Sequence, residues 1–175
     1  AKMSGISATV LADPSGAFTT AGAMVACVEG ALGKGHRGGL SGLRALIFGG
    51  TGPVGSAAAV LAARAGADAV IVSHTGLKAA QDAARLCSER YGVTLSGGDG
   101  STDAGMSGLM AEADVVFNAA TAGVQVMSAY HIGQAARLKV ACDVNAVPPA
   151  GIEGVGPMDS AAPLAASSSG AVGIG

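Results

Sequence analysis

A short apolar run that ends in glycines and passes straight into helix-forming sequence constrains this chain more than any other feature. Ala45 to Phe48 is the run, Gly49 to Gly55 the turn, and alanine-rich sequence continues to Ala67. Gly50, Gly52 and Gly55 fit G-x-G-x-x-G in the strand–turn–helix setting that gives the pattern meaning. In that pattern the first glycine permits a tight turn, and the second lets the backbone approach a pyrophosphate. The third lets helix and strand pack closely. Pro53 suits the first helical turn, where no amide hydrogen is needed. The free N–H groups of that turn, with the helix dipole, then face an anion. Thr51 and Val54 belong to the same cradle. In a chain with 29 glycines a glycine triplet alone says little; its position between a strand and a helix makes a dinucleotide site the expectation.

The rest of the composition narrows the class. Hydrophobic residues make up 50% and charged residues 13% of the 175, so core material is plentiful. Aromatics are only 3%, and the core must be built by close packing of Ala, Val, Leu, Ile and Met. A net charge of −2, with no basic run, leaves no electrostatic footprint for nucleic acid. Cys27, Cys87 and Cys142 are far apart and match no zinc or disulfide spacing, so free buried thiols in a reducing compartment are expected. No metal site is expected. No stretch reaches the ~18 apolar residues of a membrane span, and no signal segment opens the sequence. A cytoplasmic protein is expected.

Taken in order, Ile6 to Ala12 reads as a short strand and Asp13 to Gly16 as a turn. Thr19 to Leu32 reads as a helix capped by Ser or Thr, with Met24, Val25, Val28 and Leu32 as a core stripe. Gly33 to Gly42 is a connector. Beyond the central stretch, strands are expected at Ala69–Ser73, Val93–Ser96, Val115–Ala119 and Lys139–Asp143. Helices are expected over Gly76–Tyr91, Ser101–Ala113 and Ser128–Leu138. Strands alternating with helices at this spacing predict an α/β fold with a doubly wound, Rossmann-type parallel sheet. Ligands of such sheets lie beyond the carboxyl ends of the strands.

The strand ends therefore select the ligand. An acidic residue at the end of the second strand holds the ribose of NAD; here that place reads Ser73, His74, Thr75, Gly76. Asp68 lies before the strand, on the wrong edge. With no carboxylate to repel a 2′-phosphate, and Lys78 nearby, NADP is the expected cofactor and NAD the alternative. Ala120 and Thr121, after the fourth strand, either lie against the nicotinamide ribose or form a plain turn. Asp143 and Asn145, before Pro148-Pro149, either line the nicotinamide end or cap their own loop.

Several segments in this order resemble one family. They are Asp13-Pro14-Ser15-Gly16 with Thr19-Thr20, Gly49 to Gly55, Asp143 to Ile152, and Gly170 to Gly175. Together they are similar to the bacterial NAD(P)-dependent methylene-tetrahydromethanopterin dehydrogenases of one-carbon metabolism and methylotrophy, which are related in fold to methylene-tetrahydrofolate dehydrogenases. The resemblance implies the tail of a pterin-binding α/β domain and a connecting helix over residues 1–40, and an NAD(P)-binding Rossmann domain over residues 41–175. It implies hydride transfer from a methylene-pterin to NAD(P), giving the methenyl form, and a homo-oligomer. The chemistry asks for no side-chain base, since a pterin nitrogen lone pair stabilises the methenyl cation, and no catalytic side chain is assigned. Asp13, Ser15, Thr19 and Thr20 are candidates for the pterin-facing wall, or else a turn and helix cap. NADP-specific members tend to carry a basic residue where this chain has His74-Thr75, which leaves use of both cofactors open.

Two other readings compete. A shikimate-type dehydrogenase shares the architecture but needs a Lys–Asp pair, and Lys2 is the sole lysine before the connector. A nucleotide-sensing Rossmann module would need no chemistry at all. Ala1 is not an initiator, and the sequence closes on a strand-like segment, so flanking segments are expected at both ends.

Overall fold

The computed structural model describes residues 12–13, 15–33, 36 and 38–175. The strand expected from Ile6 falls outside these residues but for Ala12. The chain forms α1 (Ala17–Leu32), β1 (Arg44–Phe48), α2 (Pro53–Arg64), β2 (Asp68–Ser73), α3 (Leu77–Tyr91) and β3 (Leu95–Asp99). It continues through α4 (Asp103–Ala111), β4 (Val115–Asn118), α5 (Ala129–Gln134), β5 (Val140–Asp143), β6 (Ser160–Pro163) and β7 (Val172–Ile174). The strands make one sheet in the order β3-β2-β1-β4-β5-β7-β6, parallel throughout except for β6. It is the Rossmann-type arrangement the alternating pattern predicts. The chain winds outward from β1 to β3, then returns to the centre and winds the other way from β4.

Both faces are covered, which is why β1, β2, β4 and β5 read as unbroken apolar runs rather than alternating ones. Ala45, Ile47, Ile71, Phe117 and Val140 point to the face packed by α1, α2 and α3. Leu46, Phe48, Val70, Val72 and Val116 point to the other, packed by α4, α5 and the segment around Ile152 and Leu164. Full burial of each large apolar side chain contributes roughly 1.5–3 kcal/mol. Ala59 and Ala62, both fully buried on α2, bring that helix close to the sheet and stand in for missing aromatic bulk.

The α1 stripe of Met24, Val25, Val28 and Leu32 is buried as expected. Its cap is not. Gly16 is the N-cap residue and offers no side chain, so the helix begins at Ala17. The carboxylate of Asp13 instead accepts the Thr19 amide at 2.9 Å and the Thr19 hydroxyl at 3.0 Å. Those bonds, the amide's first, hold the Asp13 carboxyl below the ordinary carboxylate range. At the other end of α1, Glu29 lies beside Gly39, and Gly42 donates to the Gly66 carbonyl just past α2. Both helices therefore run away from the carboxyl edge of the sheet, and the N-terminal end of α1 lies on that edge.

Several boundaries differ from expectation, each for a local reason. β3 begins at Leu95 rather than Val93 because α3 closes on Gly92 at φ 63°, with Gly92 and Val93 both donating to the Ser88 carbonyl. Gly97 reads as loop, yet it is strand: a Cβ there would sit 2.5 Å from the Gln81 nitrogen, so glycine lets α3 lie directly on β3. α4 starts at Asp103, not Ser101, because the Asp99 carboxylate holds the Ser101 amide and hydroxyl and Thr102 becomes the N-cap. α5 stops at Gln134, where Ala135 leaves helical geometry (ψ 73°). β6 has no sequence signal; it is an exposed edge strand with a register shift at Ala161. Cys27 is exposed, contrary to the expected burial, because it lies off the α1 stripe; Cys87 and Cys142 are buried. Among the described residues no helix is long and apolar enough to cross a membrane, and no cluster of His, Cys, Asp and Glu is suited to a metal ion.

Candidate dinucleotide site

The winding direction reverses between β1 and β4, and their carboxyl ends are in register, Phe48 opposite Asn118 and Val72 on the other side. A cleft of about 460 Å³ opens there, of the size that takes a small-molecule ligand. Gly49, Thr51 and Gly52 line it from the turn after β1, His74 from the turn after β2, and Ala119 to Thr121 from the loop after β4. Phe48, Val72, Met106, Val124 and Val126 supply an apolar wall.

The glycines of the turn separate by what a side chain would meet. The left-handed residue is Gly49, at φ 71°, not Gly50, and a Cβ on it would run into the Ala119 carbonyl. So the tight turn is made one residue earlier than the motif assigns. A Cβ on Gly50 would press Ile71 at 2.8 Å, and one on Gly55 would overlap the Gly49 backbone. These three are required by packing. Gly52 is different: its Cβ would meet only the Gly49 carbonyl, at 3.3 Å. The fold has no strict need of glycine there, but a ligand backed against the first turn of α2 would. Gly52 is the N-cap of α2 and Pro53 its first residue, and neither supplies a capping side chain. The amides of the first turn have no intrahelical partner and are aimed, with the helix dipole, at the cleft. No Asp, Glu, Lys or Arg is among the described residues lining it. An anion held against the first turn of α2 is met by backbone dipoles rather than by a charged side chain of that turn.

After β2, Ser73 is buried and its hydroxyl is 2.8 Å from that of Thr75, while also accepting the Thr75 amide at 3.1 Å. One of the two O–H donors is thus used within the turn. Lys78 is on α3, outside the cleft lining, and pairs with Asp82 at 3.1 Å. Asp68 lies at the opposite edge of the sheet, bound to Arg44 at 2.6 Å.

The floor beside β4 and β5 is a buried polar network. Asp143 is fully buried; it accepts from Asn118 Nδ2 at 2.8 Å, the Asn145 amide at 2.9 Å and the Ile152 amide at 2.8 Å. The Asn118 oxygen accepts the Ala120 amide at 3.1 Å, and Asn145 Nδ2 donates to the Ala120 carbonyl. The peptide groups of Ala120 are thus held on both sides. Asp143 caps its own loop, and Asn145 braces the wall rather than lining it. Gly151 is required here because a Cβ would strike Asn118.

Of the residues singled out in the sequence, Thr51, Gly52, His74, Ala120 and Thr121 line one cleft. Gly50, Pro53, Val54 and Gly55 build the turn behind it. Asp13, Ser15, Thr19 and Thr20 do not line it, and Asp13 with Thr19 forms the α1 cap. Gly49, Val72, Gly100, Met106 and Val124 to Val126 line it without having been singled out. Gly49 was legible as the first glycine of the run; the apolar residues carry no local signal.

No protein-family model matches the chain. It is 42% identical over 146 residues, 83% of its own length and 49% of the relative's, to the NAD(P)-dependent methylenetetrahydromethanopterin dehydrogenase of Methylorubrum extorquens. That match bears out the resemblance drawn from the motifs. Among solved structures it is similar to transhydrogenase from Sinorhizobium meliloti (TM-score 0.60, 16% identity, 90% of this chain, 48% of that one). It is also similar to shikimate 5-dehydrogenase from Listeria monocytogenes (TM-score 0.54, 17% identity, 77% of this chain, 52% of that one). At such identities these two show the fold alone. The chain spans about half the length of the curated relatives it matches.

Proposed function

We propose that this chain is the dinucleotide-binding part of an NAD(P)-dependent methylene-tetrahydromethanopterin dehydrogenase. The observation that carries the reading is the position of Gly52 at the N-terminus of α2, open to a cleft with no Asp, Glu, Lys or Arg among its described lining residues, in a chain 42% identical to such an enzyme. Residues 41–175 form the nucleotide domain of this reading, and residues 1–40 the end of a pterin-binding domain with its connecting helix. The position of α1, with its N-terminal end on the carboxyl edge of the sheet, supports that division. A cytoplasmic homo-oligomer is part of the same reading.

The residues fit the cofactor. The first turn of α2 would hold the pyrophosphate, Gly52 allowing close approach and Thr51, Val54 and Gly55 offering amides. The turn from Ser73 to Thr75 lacks the carboxylate that favours NAD, which supports NADP as the preferred form. Ala119 to Thr121, fixed through Asn118, Asp143 and Asn145, would position the nicotinamide end. When bound, NAD(P) supplies the hydride acceptor. The chain's own work is alignment of two rings and exclusion of water by Phe48, Val72, Met106 and Val124. The methylene carbon of the pterin loses hydride with help from its neighbouring nitrogen, so the reaction asks for no side-chain base. In this reading Asp13, Ser15 and Thr20, at the N-terminal end of α1, would face the pterin.

The test is absorbance of reduced nicotinamide on adding methylene-tetrahydromethanopterin and NADP or NAD to the protein expressed from the full reading frame. Reduction of either cofactor is expected. A protein that binds NADPH yet reduces neither cofactor overturns the dehydrogenase reading.

A further inference from the structure

We infer that His74 selects between NADP and NAD and makes that choice depend on pH, an inference that rests on the dinucleotide reading above. Three observations lead here. First, the selecting position after β2 has no carboxylate, and its hydroxyls, Ser73 and Thr75, are hydrogen-bonded to each other and carry no charge. Second, His74 is the residue of that turn that lines the cleft, and it is exposed there. Third, among the described residues lining the cleft it is the sole titratable one, since the rest are Gly, Ala, Val, Thr, Phe, Met and Gln.

The surrounding charged groups are carboxylates and an amine, not imidazoles. From α3 come Lys78 and Asp82, paired with each other at 3.1 Å. From the end of β3 comes Asp99, whose carboxylate accepts the Ser101 hydroxyl at 2.6 Å and is held below the ordinary range by that bond and the Ser101 amide. From α4 comes Asp103 in its first turn. The turn after β1 brings none. Imidazole is the side chain that changes charge in the neutral range. Protonated, His74 offers a charge-assisted N–H to a 2′-phosphate; neutral, it offers at most an ordinary one. A ribose bearing only hydroxyls gains little from that change. NADPH affinity should therefore weaken as pH rises while NADH affinity holds.

Fluorescence titration of NADPH and of NADH at about pH 6 and about pH 8 tests this, with the unaltered protein, His74→Ala and His74→Arg. In the unaltered protein the NADPH-to-NADH affinity ratio should fall about fivefold across that range, the scale of an exposed pair. His74→Ala should flatten it, apart from the phosphate's own titration near pH ~6, and His74→Arg should give a high ratio at both values. A ratio in the unaltered protein with the same pH dependence as His74→Ala overturns the inference alone. If neither nucleotide binds, the dinucleotide reading fails and this inference with it.

Discussion

Asn118 donates from Nδ2 to the carboxylate of Asp143 at 2.8 Å, and both side chains are fully buried at the carboxyl ends of adjacent strands. The pair joins two loops that the sequence separates by 25 residues. Asp143 also receives the Asn145 and Ile152 amides, so its replacement by Ala leaves three donors without their acceptor. The expected loss of stability is about 3–5 kcal/mol, read by urea unfolding. Asn118→Ala, which frees the Ala120 amide and leaves Asp143 its two backbone donors, should cost about half as much. A loss below about 1 kcal/mol for Asp143→Ala would show that the network does not hold the loops.

The glycine turn makes a paired prediction. Gly52→Ala places a methyl 3.3 Å from the nearest atom of the fold and should change stability by less than about 1 kcal/mol. It should nevertheless weaken NADPH binding at least ~10-fold, because the methyl occupies the approach to the first turn of α2. Gly55→Ala, whose methyl overlaps the Gly49 backbone, should destabilise by about 2 kcal/mol or more. Thermal unfolding and NADPH titration of both variants separate the two roles. Unchanged affinity in Gly52→Ala would move the pyrophosphate elsewhere.

What the residues disclosed in advance follows from where their signals are local. The β1–α2 turn is written within a dozen consecutive positions, and the buried strands declare themselves as apolar runs, so sheet and cradle were both legible. Two kinds of feature were not. Gly97 looks like a loop residue because its reason, contact with Gln81 on α3, lies across a packed interface. Asn118, Asp143 and Asn145 are polar residues after strands, which suit a ligand or a turn equally. Only their mutual distances show that they brace one another. Asp13 and Thr19 read equally as a pterin-facing wall or as a turn and helix cap, and only the bonds from Thr19 to the Asp13 carboxylate show the cap.

Asp114 anchors the opposite edge and predicts the acid limb of stability. Burial would raise its carboxyl, but Lys139 at 2.7 Å, the Arg44 amide at 3.0 Å and Arg137 at 2.8 Å bring it below the ordinary value. A carboxyl lowered by folding contributes stability that is complete above its unfolded value, about 3.9, and lost as pH falls through the folded one. Unfolding free energy should therefore drop from about pH 4 downward. Asp114→Asn should be less stable at neutral pH by about 2 kcal/mol and show a shallower acid slope. Urea midpoints across that range check both, and an unchanged slope would remove Asp114 from the acid transition.

The three thiols should differ in reactivity because attack requires an exposed thiolate. Cys142 is pushed up to about 12, first by burial and then by the neighbouring Cys27 and Asp143. Burial also raises Cys87, against a smaller opposing effect of Arg90. Cys27, off the buried stripe of α1, is exposed. Iodoacetamide at about pH 8 should therefore alkylate the native protein at Cys27 first, with Cys87 and Cys142 following only on unfolding. Peptide mass spectrometry after a timed reaction reads the order. Early labelling of Cys142 would mean that β5, and with it the Asp143 end of the site, opens far more readily than its packing between β4 and β7 allows.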